Sequence, residues 1–338
     1  MRSRVGRART LSIAAAIGAG SAGSAAGAAY KLLIEQSKSA RVVIGPTSTL
    51  PPRADGVYHP SGGQPAPHGD GTELTLLLLG DSTAAGLGCE LVEELPGVLL
   101  ARGLAEETDR AVHLLTHAVV GANSRALADQ VELALHDTDL GEREGGPRPP
   151  DAVVIIIGAN DVSGKLSPRT AAQLLGAAVA RLRGLGCAVV VATCPDLGAI
   201  RPIPQPLRSV VRSWSLRLAQ EQRHAVLAAG GHPVAVADLL SPEFLTRPEA
   251  LFSADQFHPS AAGYEAATSL LLPALCFELG VWGGGPLAEP PRRSATAEAH
   301  RPTVRATAAV NQALQHRARA GGRAAARLLR LGDRHREK

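Results

Sequence analysis

Ser82 is a candidate nucleophile, because it stands in Gly80-Asp81-Ser82 directly after the apolar run 74–79. A serine hydroxyl at the turn after a strand can attack a carbonyl carbon if a base reaches it. In open α/β sheets, ligands gather beyond the carboxyl ends of the strands, so a serine in this place is exposed to them. Gly, Asp and Ser are also ordinary turn and helix-capping residues, so the motif alone does not distinguish a catalytic serine from a simple turn.

A base for this serine is available far along the chain, in the segment 255–259, which reads Asp-Gln-Phe-His-Pro. Asp255 and His258 are three residues apart and can project from the same side of one turn. The carboxylate would orient the imidazole and stabilise its charged form while His258 takes the proton from Ser82. A single loop histidine is more often a polar surface residue, but the order Ser…Asp-x-x-His is more informative.

Asn160 and Gly121 follow two further apolar runs and could supply hydrogen-bond donors. An acyl transfer needs donors aimed at the carbonyl oxygen that becomes negative, and a side-chain amide or a backbone N–H suits this need. Each residue also has a simpler interpretation. Asn160 followed by Asp161 is typical of an Asx turn, and any strand-to-helix turn can use a glycine.

Five short apolar runs carry or surround these residues and are predicted to be strands: 74–79, 112–120, 152–157, 188–193 and 234–237. They alternate with stretches of helical character at about 90–105, 124–136, 168–185, 207–229 and 260–276. Continuously apolar strands that alternate with helices are typical of a parallel sheet covered on both faces. The pattern therefore predicts an α/β fold.

Together the four blocks resemble the SGNH (GDSL-type) serine hydrolase family, whose four namesake positions are matched by Ser82, Gly121, Asn160 and His258. The resemblance implies that Ser82 is the nucleophile, His258 the base and Asp255 the residue that orients it. It further implies an oxyanion hole made of the Ser82 and Gly121 N–H groups and the Asn160 side chain.

The resemblance covers about residues 74–276 and implies a flavodoxin-like three-layer α/β/α sandwich around a five-stranded parallel sheet, which agrees with the strand count above. The implied activity is that of a serine esterase or acylhydrolase that cleaves carboxylic esters through an acyl-enzyme, with no metal or other cofactor. We expect a monomer that acts on a small-molecule, lipid or glycan ester. We expect no nucleic-acid partner, and peripheral contact with the membrane or cell envelope.

Three alternatives differ in function or fold. The same site would make an acyltransferase if a sugar or lipid hydroxyl replaced water as the acceptor. A catalytically idle envelope-binding protein could keep the fold, although such a protein needs no aligned Ser, Asp and His. An α/β-hydrolase fold is rejected, because its Gly-x-Ser-x-Gly elbow needs a second glycine where this chain has Ala84.

The net charge of +4 conceals two basic ends around an acidic body. Residues 1–10 carry four Arg and no acid, and residues 291–338 carry a net charge of +9. Residues 11–290 are left with a net charge of −9, which disfavours a nucleic-acid-binding core.

The composition divides the chain into four segments. Residues 1–44 begin with four Arg and an uncharged stretch rich in Ala, Gly and Ser, and are predicted to be a signal peptide or an N-terminal membrane anchor. An Ala-rich helix kept in the cytoplasm is the alternative. Residues 45–72 are predicted to be a Pro/Gly-rich linker, 73–282 the hydrolase domain, and 283–338 a basic Ala/Arg-rich tail that is largely disordered. The resemblance to exported actinobacterial members predicts a protein that is secreted or attached to the cell envelope through its N-terminal segment.

Cys187 and Cys194 flank a predicted strand of about 23 Å extended length, which forbids a disulfide between them. A disulfide would therefore involve Cys89 or Cys276, and four free thiols are the other possibility.

Overall fold

The structure, a computed structural model, describes residues 30–40, 42, 50–67, 74–140, 142–143 and 146–281. Most of the predicted export segment and the whole of the predicted basic tail lie outside these residues. Their assignment remains a prediction from the sequence.

Within the described residues, the central sheet has six strands in the order β1-β3-β2-β6-β7-β8, and a small separate hairpin is formed by β4 and β5. The strands are β1 (Gly56–Tyr58), β2 (Leu74–Gly80), β3 (Val112–Thr116), β4 (Glu142–Arg143), β5 (Gly146–Pro147), β6 (Ala152–Ile156), β7 (Ala188–Ala192) and β8 (His232–Val234). Strands β3, β2, β6, β7 and β8 run parallel, with Leu76 in register with Leu114 and Ala152. The predicted five-stranded parallel sheet is confirmed.

The sixth strand, β1, corrects the predicted strand count. It lies inside the segment predicted to be a linker and pairs antiparallel with β3 at the edge of the sheet. Val57 also exchanges two backbone hydrogen bonds with Ala66, of 2.8 and 2.9 Å. A strand of three residues among prolines shows no periodic pattern, and periodicity therefore does not predict it.

Helices cover both faces of the sheet. They are α1 (30–40), α2 (Pro96–Thr108), α3 (Leu127–Leu135), α4 (Ala159–Ser163), α5 (Pro168–Gly184), α6 (Leu207–Ala228), α7 (Val236–Thr246), α8 (Pro248–Leu251) and α9 (Ala261–Glu278). Strand β2 shows why both faces must be covered. Leu76 and Leu78 pack into the core under α2 and α9, whereas Leu77 and Leu79 pack into the core under α3 and α5. All four are completely buried, as expected for alternate sides of a strand inside a three-layer sandwich.

Two predicted strands have the wrong bounds. The run 112–120 is strand as far as Thr116, and its remainder is the loop that leads to Gly121. The run 234–237 is wrong as a strand, because β8 ends at Val234 and α7 begins at Val236. A short apolar run of Val and Ala fits a buried strand and the first turn of a helix equally well, and periodicity cannot separate the two.

Helix α1 lies inside the predicted export segment and docks on the loop before α6. The Gln36 side chain donates to the Gln205 carbonyl at 2.5 Å and accepts the Leu207 N–H at 3.1 Å. Ala40 is buried against a core cluster that includes Val162 and Leu166. No helix in the described part of the chain is long and apolar enough to span a membrane.

Candidate active site

The turn after β2 fixes Ser82 at the carboxyl edge of the sheet. Gly80 has φ +135°, and a Cβ atom there would lie 1.9 Å from the Ile156 carbonyl oxygen, so a side chain is excluded. The Asp81 N–H donates to that same carbonyl at 3.0 Å. The Leu87 N–H donates to the Ser82 carbonyl at 2.9 Å, which closes the turn.

Ser82, His258 and Asp255 form one continuous chain of hydrogen bonds. The Ser82 Oγ lies 3.0 Å from His258 Nε2, and His258 Nδ1 lies 2.6 Å from Asp255 Oδ2. Ser82 and His258 are buried, and Asp255 is half-buried. The structure thus brings Ser82 together with two residues that lie more than 170 positions later in the sequence.

The loop before α9 presents His258 in this orientation. The Asp255 Oδ1 atom accepts three hydrogen bonds of 2.8 to 2.9 Å, from the Ser253 hydroxyl and from the N–H groups of Phe257 and His258. Two residues after His258, Ser260 caps α9 by accepting the Gly263 N–H. The carboxylate therefore organises the backbone of the loop as well as the imidazole ring.

The same bonds set the charge of Asp255. Partial burial pushes the pKa of this carboxyl upward, but hydrogen bonds from the His258 side chain, the two backbone N–H groups and Ser253 outweigh it. The net pKa lies well below the ordinary value. Asp255 is therefore a stable anion beside the imidazole at neutral pH.

Asn160 and Gly121 lie on neighbouring turns. The Asn160 Nδ2 atom donates to the Ala122 carbonyl at 2.9 Å, which leaves one of its two hydrogens for a ligand. Among the described residues, the backbone N–H groups of Ser82 and Gly121 have no hydrogen-bond acceptor. These are the three donors that the sequence pattern implies.

A buried carboxylate joins the same two turns. Asp161 is completely buried and accepts from the Ser124 N–H at 3.0 Å and from the Ser124 hydroxyl at 2.8 Å. Together with the bond from Asn160 to Ala122, this pair fixes the distance between the turn that carries Gly121 and the one that carries Asn160.

Gln130 is a positioning residue that the sequence analysis did not single out. This buried side chain of α3 accepts the Gly80 N–H at 2.9 Å and donates to the Gly80 carbonyl at 2.8 Å. It thereby holds both backbone groups of the residue two positions before Ser82. A signal was present, because Gln130 is a polar residue on the apolar face formed by Leu127, Val131 and Ala134.

Gln222 plays the same part where strands β6 and β7 end. This completely buried side chain of α6 accepts the Cys194 N–H at 2.7 Å and donates to the Ile157 carbonyl at 3.0 Å. It ties the end of β7 to the end of β6, just before the turn that carries Asn160.

Asp81 is the second acid beside Ser82, and its environment differs from that of Asp255. Burial raises its pKa to about 6, against the opposing effects of the Thr83 N–H, His258 and the Gly158 N–H. Asp81 thus titrates near neutral pH, while Asp255 stays charged.

The cysteines do not compete as nucleophiles. All four lie in the described part of the chain and are free thiols. Burial raises the pKa of Cys89 to about 12, and that of Cys187 and Cys276 to about 11, so little thiolate forms at neutral pH. Within the described residues, no group of three or more His, Cys, Asp or Glu side chains is arranged to hold a metal ion.

A family model and a curated relative that match this chain carry the same GDSL-like description. A model of the GDSL-like lipase/acylhydrolase family matches residues 78–266. A GDSL-like esterase of Mycobacterium tuberculosis is 45% identical over 297 residues, which cover 86% of this chain and 90% of that protein.

Solved structures with similar folds share less sequence. The lipase/acylhydrolase from Enterococcus faecalis is 22% identical with a TM-score of 0.43, over 59% of this chain and 93% of that one. A variant of an acetyl-xylooligosaccharide esterase from Geobacillus is 20% identical with a TM-score of 0.46, over 62% and 95%.

Replacing Gln130 tests its positioning role. Gln130→Leu leaves the buried Gly80 N–H without a partner, which should lower the free energy of unfolding by about 1–3 kcal/mol. We expect kcat for an acetyl ester to fall by up to about 100-fold with little change in KM, because Ser82 shifts relative to His258. Urea unfolding and steady-state kinetics measure both. The exposed Gln220→Leu on α6 is the matched control, and equal kinetics in the two variants would refute the role.

The raised pKa of Asp81 predicts a pH-dependent stability difference. Because the folded-state pKa of about 6 exceeds the ordinary 3.8, the contribution of protonated Asp81 is complete below about pH 4 and is lost as the pH rises through 6. Asp81→Asn keeps an acceptor for the Thr83 N–H but does not ionise. From pH 4 to pH 8, the unfolding free energy of Asp81→Asn minus that of the wild type should therefore rise by on the order of 3 kcal/mol. A difference that stays constant across this range would contradict the assignment.

Proposed function

This chain belongs to the GDSL-like lipase/acylhydrolase family and is a carboxylic ester hydrolase, and on that premise we propose that it works through an acyl-enzyme on Ser82. The observation that carries the proposal is the hydrogen-bond chain from Ser82 Oγ through His258 to Asp255, with lengths of 3.0 and 2.6 Å. This order of nucleophile, base and orienting acid is the one that acyl transfer by serine requires.

In the first half of the reaction, the Ser82 Oγ attacks the ester carbonyl carbon while His258 Nε2 takes the hydroxyl proton. The charged Asp255 stabilises the imidazolium that forms and holds the Nδ1–H in the correct tautomer. The carbonyl oxygen becomes an oxyanion, and the N–H groups of Ser82 and Gly121 and the Asn160 amide are the donors available to it.

The tetrahedral intermediate then collapses. The bond from the carbonyl carbon to the alcohol oxygen breaks, and His258 Nε2 gives its proton to that oxygen, so an alcohol leaves and an acyl-Ser82 ester remains. In the second half, His258 takes a proton from water, the hydroxide oxygen attacks the acyl carbon, and Ser82 regains its proton as the carboxylic acid departs.

Removing the nucleophile tests the mechanism. Ser82→Ala should abolish measurable turnover of p-nitrophenyl acetate and labelling by a fluorophosphonate probe, because no oxygen remains for the acyl or phosphonyl group. Ser269→Ala replaces an exposed serine on α9 as the matched control, and this variant should still be labelled. Full turnover by Ser82→Ala would refute the mechanism.

The oxyanion donor predicts a separate effect on turnover. Asn160→Ala should lower kcat by on the order of 100-fold or more, because one donor to the developing negative charge is lost. Asn123→Ala removes an amide that caps an adjacent turn, where its oxygen accepts the Arg125 N–H, and should change kcat only a few-fold. Thermal unfolding of both variants separates loss of a donor from loss of folding. Equal kcat values in the two variants would count against Asn160 as a donor.

A further inference from the structure

A cavity of about 450 Å³ lies beside the turn that carries Ser82. Its walls are the N-terminal segment 50–55, Ala84 and Ala85 after the nucleophile, and the loop 118–120 before Gly121. This volume falls in the range usual for ligand sites. Segment 50–55 precedes residues 78–266, which the family model matches, so this wall is formed by a part of the chain outside the matched range.

Two turns connect the cavity to the reacting groups. In the first, the Ala85 N–H donates to the Asp81 carbonyl at 3.0 Å, so that Ala84 and Ala85 are held in the same turn as Ser82. In the second, the Ala122 N–H donates to the Val119 carbonyl at 3.0 Å, and this turn contains Gly121. The cavity walls and the candidate nucleophile and oxyanion donor are thus neighbours along the same short loops.

The walls are suited to hydrocarbon. Pro51, Val119 and Val120 belong to the lining and have accessible apolar side chains. Among the described lining residues, three are polar, namely Arg53, Asp55 and Thr116. Arg53 and Asp55 are exposed. Such a lining offers few donors or acceptors to the hydroxyl groups of a sugar and favours an apolar chain.

We propose that this cavity binds the acyl chain of the ester substrate, which makes the enzyme selective for medium- or long-chain acyl esters. The inference rests on the proposed function, because the acyl group must be attached to Ser82 for its chain to enter the cavity. Each methylene that leaves water for an apolar wall should raise kcat/KM by up to about four-fold, until the chain fills the space.

A second cavity provides the comparison that the test needs. It measures about 110 Å³ and lies under the loop of His258, where Phe252, Phe257 and Ala267 contribute to its lining. It has about one quarter of the volume of the larger cavity and offers correspondingly less room for an acyl chain.

The experiment measures kcat/KM for p-nitrophenyl esters from acetyl to dodecanoyl, at concentrations below micelle formation. The wild type should prefer medium or long chains over acetyl. Ala118→Leu reduces the volume of the larger cavity and should lower the ratio of kcat/KM for decanoyl to acetyl ester by at least 10-fold. Ala267→Leu makes the same substitution in the smaller cavity and should leave that ratio within two-fold of the wild type.

A second variant does not depend on repacking buried side chains. Val119 is 53% exposed at the rim, so Val119→Glu places a carboxylate at the entrance without disturbing the core. It should lower the decanoyl-to-acetyl ratio by a similar factor. A wild-type preference for acetyl, or ratios unchanged in both variants, would overturn the proposal.

Labelling by a small ethyl fluorophosphonate separates this inference from the proposed function. The probe requires Ser82 and its base but no acyl cavity. Wild-type protein that is labelled yet shows no chain-length preference would refute the acyl cavity alone. Wild-type protein that is neither labelled nor active would refute the serine mechanism, and the acyl cavity with it.

Discussion

The site depends on how a parallel sheet ends inside a protein. Where a buried strand stops, its last N–H and C=O groups lose their ladder partners while they remain shielded from water, and an unpaired group there is costly. In this chain, two buried glutamines supply the missing partners. Gln130 binds the end of β2, and Gln222 binds the ends of β6 and β7. The reactive groups follow directly after these strand ends, so the requirement to satisfy the backbone also fixes the geometry of the site.

Two carboxylates near Ser82 show how hydrogen bonding and burial divide their roles. Asp255 has four hydrogen-bond donors around its two oxygens and stays charged, so it can stabilise an imidazolium. Asp81 lies deeper, and burial keeps its proton until about pH 6. Two aspartates that both interact with His258 thus carry different charges at mildly acidic pH because of their surroundings.

Much of this arrangement follows from the sequence. Four apolar runs predict four of the five parallel strands, and the fifth run overlaps β8 only at Val234. Ser82, Gly121, Asn160 and His258 follow or precede elements whose ends meet at one edge of the sheet. The features that the sequence did not predict depend on contacts between residues far apart in the chain. Strand β1 forms because β3 offers an open edge, and Gln130 pairs with Gly80 across 50 positions. The cavity beside Ser82 is closed by the proline-rich segment 50–55, which no periodic pattern marks as part of the domain.

The contact between Ser82 and His258 spans 176 positions of the chain. Strands β6, β7 and β8 and the helices between them lie between these two residues in the chain. A growing chain that ends before residue 255 contains Ser82 but neither Asp255 nor His258. The hydrogen-bond chain of Ser82, His258 and Asp255 therefore cannot form until the polypeptide has been made as far as residue 258.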